Sequence, residues 1–128
     1  QRLSYMGFGG TGKQIRDLMH PADLFALLEL QTPHLSEQAG QIFNAGGGHP
    51  GSTSLLEYTK ICEEITGRRS EIGSIPETRQ LDLPYYVSDN DKVERVFAWT
   101  PHKTPRAIAT AIHAWLQANH DLVSTIFV

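Results

Sequence analysis

Gly9-Gly10-Thr11-Gly12-Lys13-Gln14-Ile15-Arg16-Asp17-Leu18-Met19-His20-Pro21-Ala22-Asp23-Leu24 decides how the rest of this chain is read. The glycines make a flexible turn, Gln14 to Leu18 reads as a strand carrying Arg16, and His20-Pro21-Ala22-Asp23 opens a helix. Pro stands at the first helical position, where its missing N–H costs nothing, and the acid of the first turn faces the positive end of the helix dipole. An Arg in this setting is always ionised and offers a planar fork to two phosphate oxygens, fixing both position and orientation of a diphosphate. The plainer alternative is that Arg16 pairs with Asp17 or Asp23 at the surface, an interaction worth about 0–1 kcal/mol.

Working outward, Leu3 to Phe8 alternates as a strand that the glycine turn joins to Gln14 to Leu18 in a hairpin. After Pro21, Leu24, Leu27 and Leu28 form the buried stripe of the helix. Thr32 to Gly40 is a polar connector, and Gln41 to Ala45 a short strand stopped by Gly46-Gly47-Gly48, a turn whose glycines supply positive dihedral angles. Ser54-Leu55-Leu56-Glu57 is a capping box opening a helix that runs to Thr66 and stops at Gly67, with Leu55, Tyr58, Cys62 and Ile65 on one face. Ser70 to Ile75 reads as a strand, and Pro76 to Ser88 as a long loop holding Arg79, Asp82 and Pro84. Asp89-Asn90-Asp91-Lys92 caps a short helix through Phe97. Thr104-Pro105 starts the last helix, out to about Ala118, with Ile108, Ile112, Trp115 and Leu116 as its apolar stripe. Trp99 and Trp115 are assigned to the core. The alternation of strands and helices predicts a small α/β domain.

At 128 residues the chain makes one domain, residues 1–128, near the size at which folding buries about two thirds of the unfolded surface. A net charge of −3 provides no basic footprint for nucleic acid or an anionic membrane, so any anion must be held by local residues. The single Cys62 excludes an internal disulfide, and no apolar run approaches the roughly 20 residues of a membrane span. These features predict a cytoplasmic protein. The start at Gln1-Arg2-Leu3-Ser4, with neither Met nor a signal-like segment, reads as a piece of a longer chain.

Several chemistries lack their residues. Gly7-Phe8-Gly9-Gly10-Thr11-Gly12-Lys13 fits G-x-x-x-x-G-K, but Gln14 replaces the Mg²⁺-holding hydroxyl, and Pro21 forbids the helix that should follow the Lys. No G-x-G-x-x-G can be completed around Gly46-Gly47-Gly48. The histidines at 20, 34, 49, 102, 113 and 120 form no H-x-x-x-H pair, so zinc spacing is missing. There is no G-x-S-x-G elbow, and Cys62 lies on the apolar face of a helix, where a cysteine behaves as a small hydrophobe.

The segment from Gly10 to Leu24 resembles the G-x-G-x-x-x-R-D-h-h-H-V-x-D-L signature (h apolar) of extended short-chain dehydrogenase/reductases that act on nucleotide sugars. Gly10, Gly12, Arg16, Asp17, His20, Asp23 and Leu24 match, and Pro21 replaces the usual Val. Arg79-Gln80-Leu81-Asp82 resembles the family's late R-x-x-D. Asp89-Asn90-Asp91-Lys92 and Ala98-Trp99-Thr100-Pro101 resemble its D-x-x-K and L-G-W-x-P closing segments, with Ala98 in place of the usual Gly. The glycine segment, Asn44-Ala45-Gly46-Gly47-Gly48 and Ser54-Leu55-Leu56-Glu57 are most similar to the CDP-paratose (CDP-tyvelose) 2-epimerases within that group.

The resemblance implies the small C-terminal substrate-binding domain of an NAD-dependent nucleotide-sugar epimerase or dehydratase, lacking most of the Rossmann domain. Such enzymes oxidise a sugar carbon transiently with bound NAD and return the hydride to the opposite face. By the same resemblance Arg16 and Arg79 grip the diphosphate of a nucleotide diphosphate sugar, Asp82 accepts from the ribose, and Met6 with the strand from Leu3 to Tyr5 walls the base. The NAD fingerprint G-x-x-G-x-x-G and the Y-x-x-x-K pair do not occur here: the residue four beyond Tyr58 is Cys62. The chain alone is therefore expected to hold no catalytic residue and no NAD, which belongs to the parent enzyme and its missing N-terminal Rossmann half. Uncovered apolar surface toward that half would favour self-association into a homo-oligomer. A stand-alone nucleotide-binding or structural interaction module is the alternative, and a dehydratase fragment the second.

Overall fold

The computed structural model describes residues 3–126. Its clearest element follows from purely local chemistry. The Ser54 hydroxyl accepts from the Glu57 N–H at 3.2 Å while the Glu57 carboxylate accepts from the Ser54 N–H at 2.9 Å, so two orphan donors at the start of α2 (Leu55–Thr66) are satisfied. These bonds, that from the Ser54 backbone foremost, hold the Glu57 carboxyl below its ordinary range. The cap is thus at full strength above that range and fades as the pH falls through the lowered value. Gly67 ends α2 in the left-handed conformation, φ 67°, its N–H donating to Glu63 O. α1 (Pro21–Gln31) begins where expected, with the His20 ring accepting from the Ala22 N–H at 3.0 Å.

Among the described residues five short strands make two sheets. β1 (Ser4–Met6) pairs in parallel with β4 (Gly73–Ile75), Tyr5 opposite Ser74. β2 (Ile15–Asp17) lies at the centre of the second sheet, antiparallel to β3 (Ser52–Ser54) and parallel to β5 (Tyr85–Tyr86), with Arg16 opposite Thr53 and Tyr86. The hairpin expected between residues 3–8 and 14–18 does not form. Gly7, Phe8, Gly9, Gly10 and Gly12 all have positive φ, and they wind the connection through a 3-10 turn, so β1 and β2 enter different sheets.

Residues 41–45, expected as a strand, join no ladder; side chains of the following segment hold them instead. Lys92 Nζ donates to Gln41 Oε1 and to Ile42 O, and Asn90 exchanges hydrogen bonds with both backbone groups of Gly46. Phe43 packs edge-on against Phe97 at 5.2 Å, with the Lys92 ammonium over its ring. The long loop after β4 contains β5, which the sequence pattern did not separate from its surroundings.

The core sits between α1 and α3 (Asp91–Phe97): Leu27, Val93, Phe97 and Trp99, with Met19, Phe43 and Ala45 packed against them. Asp23, read from the sequence as the acid of the first helical turn, is buried and acts as a clamp. Its carbonyl accepts from Trp99 Nε1 at 2.9 Å and its carboxylate from the Lys103 N–H at 3.1 Å. The apolar stripes are otherwise only half used. Leu27 is buried, but Leu24 and Leu28 face outward; on α4 (Pro105–Ala118) Ile108 is buried, while Ile112, Leu116 and Trp115, the last assigned to the core from sequence, are exposed. Helical periodicity identifies an apolar face without identifying what covers it. A further helix, α5 (His120–Ile126), was not anticipated.

Ala98 ends α3 with φ 52° and ψ 33°, a left-handed cap carried by a residue with a Cβ. Glycine adopts that conformation without the Cβ penalty, less its greater freedom when unfolded. Ala98→Gly should therefore raise the unfolding free energy by about 0.5–1 kcal/mol. Urea titration reads this directly, and an unchanged or lower midpoint would contradict it.

Candidate functional site

Arg16 is placed by β2, whose neighbours on both sides fix its register. Its Nη1 donates to Ile15 O at 2.7 Å and its Nη2 to Asp82 Oδ1 at 2.9 Å. Neither Asp17 nor Asp23 is its partner, so the surface-pairing alternative is wrong in detail. The Asp17 carboxylate accepts from the Gly48 and Ser88 N–H groups, and Asp23 is the clamp on Lys103. Asp82 and Arg79 come from the loop between β4 and β5, folded as a turn in which the Asp82 N–H donates to Arg79 O. That loop is tied down by Phe8 N–H to Thr78 Oγ1 at 2.8 Å, Gly9 N–H to Pro76 O and Ile15 N–H to Pro84 O.

Met6, Arg16, Arg79 and Asp82 all line one open cavity of about 530 Å³ between the end of β1, the face of β2 and the loop after β4. Gln14, Glu77 and Leu81 also line it. The Arg79 guanidinium has no acidic partner among the described residues. A second cavity, about 460 Å³ beside Gly47, His49, Tyr85 and Asp89, is lined by no Lys or Arg and suits a polyanion less well than the first.

Gln14 was not singled out from sequence. It is buried, its amide nitrogen donates to Met6 O, and its Oε1 is buried with no partner among the described residues. The signal was available: Gln14 and Arg16 stand two apart on one strand and share a face. The glycine motif from Gly7 to Lys13 leads into β2 and not into a helix, and the N–H groups of Leu55 and Leu56 at the start of α2, which do reach this turn, are already used by Gln14 O and Gly12 O. Among the described residues no cluster of three His, Cys, Asp or Glu could hold a metal ion. Burial pushes the Cys62 thiol up from its ordinary pKa, away from the thiolate form that a nucleophile needs.

The glycine run has a different purpose from the one expected. Only Gly48 has positive φ (59°); Gly46 and Gly47 are required by close approach. A Cβ on Gly47 would stand 2.0 Å from Leu18 O, and one on Gly46 would stand 2.5 Å from the Asp17 carboxylate. The run therefore packs directly against the end of β2 and orients the strand that bears Arg16.

Fold and cavity together define a small α/β domain with a cation-lined cleft, and its likenesses are to nucleotide-sugar epimerases and dehydratases. No family model matches the chain. In sequence it is similar to CDP-paratose 2-epimerase of Salmonella typhi, 29% identical over 106 residues, which span 83% of this chain and 31% of that protein. In structure it resembles UDP-glucose 4-epimerase from Bifidobacterium longum in complex with NAD+ and UDP (24% identity, TM-score 0.74, 91% of this chain and 34% of that one). It also resembles UDP-glucose-4-epimerase from Stenotrophomonas maltophila with bound NAD and formylated UDP-arabinopyranose (22% identity, TM-score 0.79, 94% and 36%). dTDP-glucose 4,6-dehydratase from Bacillus anthracis has the same fold over 90% of this chain and 35% of its own (18% identity, TM-score 0.66). The resemblance read from the sequence is thus upheld, and the chain spans about a third of the length of each of these relatives. Among the described residues no helix is long and apolar enough to cross a membrane.

Proposed function

We propose that residues 1–128 are the nucleotide-sugar-binding portion of a longer NAD-dependent nucleotide-sugar epimerase similar to CDP-paratose 2-epimerase. The observation that carries this reading is the convergence of Arg16, Arg79 and Asp82, 63 and 66 residues apart in sequence from Arg16, on one cavity. In this reading the guanidinium of Arg16 binds the diphosphate as a planar fork, Arg79 neutralises the remaining charge, and the Asp82 carboxylate accepts from the vicinal hydroxyls of the ribose. Met6, at the end of β1, gives the base an apolar wall.

In this reading NAD is held by the parent enzyme outside this chain. The chain's glycine-rich turn enters a strand, where a dinucleotide site needs a helix N-terminus, and the Tyr-Lys pair is absent. Hydride transfer would belong to an N-terminal Rossmann half, and this chain would bind and orient the nucleotide. The outward-facing Leu24, Phe25 and Leu28 of α1 and Ile112 and Trp115 of α4 support such a half, since apolar faces of this kind mark an interface.

Calorimetric titration of the chain with cytidine 5′-diphosphate tests the reading. One-to-one binding with a Kd below about 1 mM, weakened by salt and unaffected by NAD, is the expected result. No saturable binding at about 10 mM, or stoichiometric NAD retained on purification, would overturn it.

A further inference from the structure

The guanidinium that should grip a diphosphate is already engaged. One N–H of Arg16 Nη1 serves Ile15 O and one of Nη2 serves the Asp82 carboxylate, so a diphosphate that takes the Nη2 side of the fork competes with Asp82 for it. The Arg16 and Asp82 side chains are 35% and 31% exposed, and an ion pair so open to water is weak enough to exchange. The Asp82 backbone is held by its own turn, with the Asp82 N–H on Arg79 O and the Leu83 N–H on Asp82 Oδ1. The Oδ1 that pairs with Arg16 also accepts from the Leu83 N–H, and that bond is kept when the Arg16 guanidinium shifts off the carboxylate between staggered side-chain positions. Arg79, with no acidic partner among the described residues, is the cation an incoming anion meets first.

Resting on the nucleotide-diphosphate reading above, we propose that the Arg16–Asp82 ion pair is an exchange latch. The diphosphate takes Arg16 from Asp82, and the released carboxylate is satisfied by the vicinal hydroxyls of the ribose on the same ligand. A ligand carrying both groups replaces everything it breaks. A bare diphosphate breaks the pair and leaves Asp82 as an unpaired anion beside a phosphate, a like-charge contact that selects against it. The cavity thus rejects free pyrophosphate through the same pair that it opens for a ribonucleotide.

Asp82→Asn tests this. The amide is isosteric and its oxygen still accepts from the Leu83 N–H, but it neither pairs with Arg16 as a charge nor repels phosphate. Calorimetry of wild type, Asp82→Asn and Arg16→Ala with inorganic pyrophosphate and with cytidine diphosphate separates the outcomes. The latch requires pyrophosphate to bind Asp82→Asn about three- to ten-fold more tightly than wild type, with cytidine diphosphate no tighter, so that the preference for the nucleotide shrinks. Pyrophosphate affinity that is unchanged or lower in Asp82→Asn, while Arg16→Ala still weakens cytidine diphosphate, would overturn the latch and leave the binding site standing. Cytidine diphosphate binding indifferent to Arg16→Ala would remove the site, and the latch with it.

Discussion

Arg16→Ala is expected to lower the affinity for cytidine diphosphate by about ten-fold to more than a hundred-fold, the roughly 1.5–3 kcal/mol of a hydrogen bond to a charged group. Arg16→Lys should fall between wild type and Ala, because an ammonium keeps the charge but loses the planar fork that matches two oxygens of a diphosphate. Fold stability should hardly change. The Arg16–Asp82 pair is one-third exposed on both sides, so its loss costs at most about 1 kcal/mol and cannot masquerade as a binding defect. A calorimetric series over the three proteins, with thermal melts alongside, reads affinity and stability separately. Equal affinity in all three would place the diphosphate elsewhere.

The second large effect concerns folding. Gly47→Ala should destabilise the domain by about 3 kcal/mol or more, because the added methyl group meets backbone and no side chain is available to move aside. Its Cβ would lie 2.0 Å from Leu18 O, 2.7 Å from Leu18 C and 2.9 Å from Leu18 N. Nor can the Leu18 segment retreat freely. The Leu18 N–H donates to Gly51 O, and the Gly51 N–H donates to Gly47 O, so three stretches of chain are tied at their closest approach. Gly40→Ala is the control: it also lies in a connector, with φ 76° but nothing within 4 Å of a new Cβ, and should cost only the left-handed penalty of about 1–2 kcal/mol. Urea unfolding of both variants makes the comparison, and a Gly47→Ala midpoint matching that of Gly40→Ala would show that the contact relaxes at little cost.

The elements legible in the sequence were those closed by their own neighbours. Ser54 and Glu57 satisfy each other three residues apart, Gly67 turns the chain at its own dihedral angles, and Pro21 marks a helix start that His20 caps. Strand partners were not legible, since three-residue strands such as Ser4–Met6 and Ile15–Asp17 carry too little pattern to specify which edge they join. The expected strand over residues 41–45 failed similarly. Its short apolar run suits a ladder, but Lys92, about fifty residues on, takes Gln41 Oε1 and Ile42 O, and Asn90 takes both backbone groups of the adjoining Gly46. The stripe on α4 was visible as a stripe, yet nothing in its spacing told that Trp115 would face outward.

For the candidate site the division is sharper. From the chain alone, Arg16 is a strand residue bounded by a glycine turn and a proline-started helix, and the residues of a dinucleotide site are missing; both follow from identities and short-range spacing. Arg79 and Asp82 came to notice only through the family resemblance, because an R-x-x-D in a loop has no local consequence that distinguishes it. The tertiary structure alone decided that Arg16 pairs with Asp82 and neither with Asp17 nor with Asp23, and that Met6 and Arg79 share their cavity. Caps and turns are closed by bonds within a few residues, so composition determines them. A contact between Arg16 and Asp82 depends on the course of the intervening chain, which is set by Thr78, Pro76 and Pro84 bonding back to the backbone of residues 8, 9 and 15.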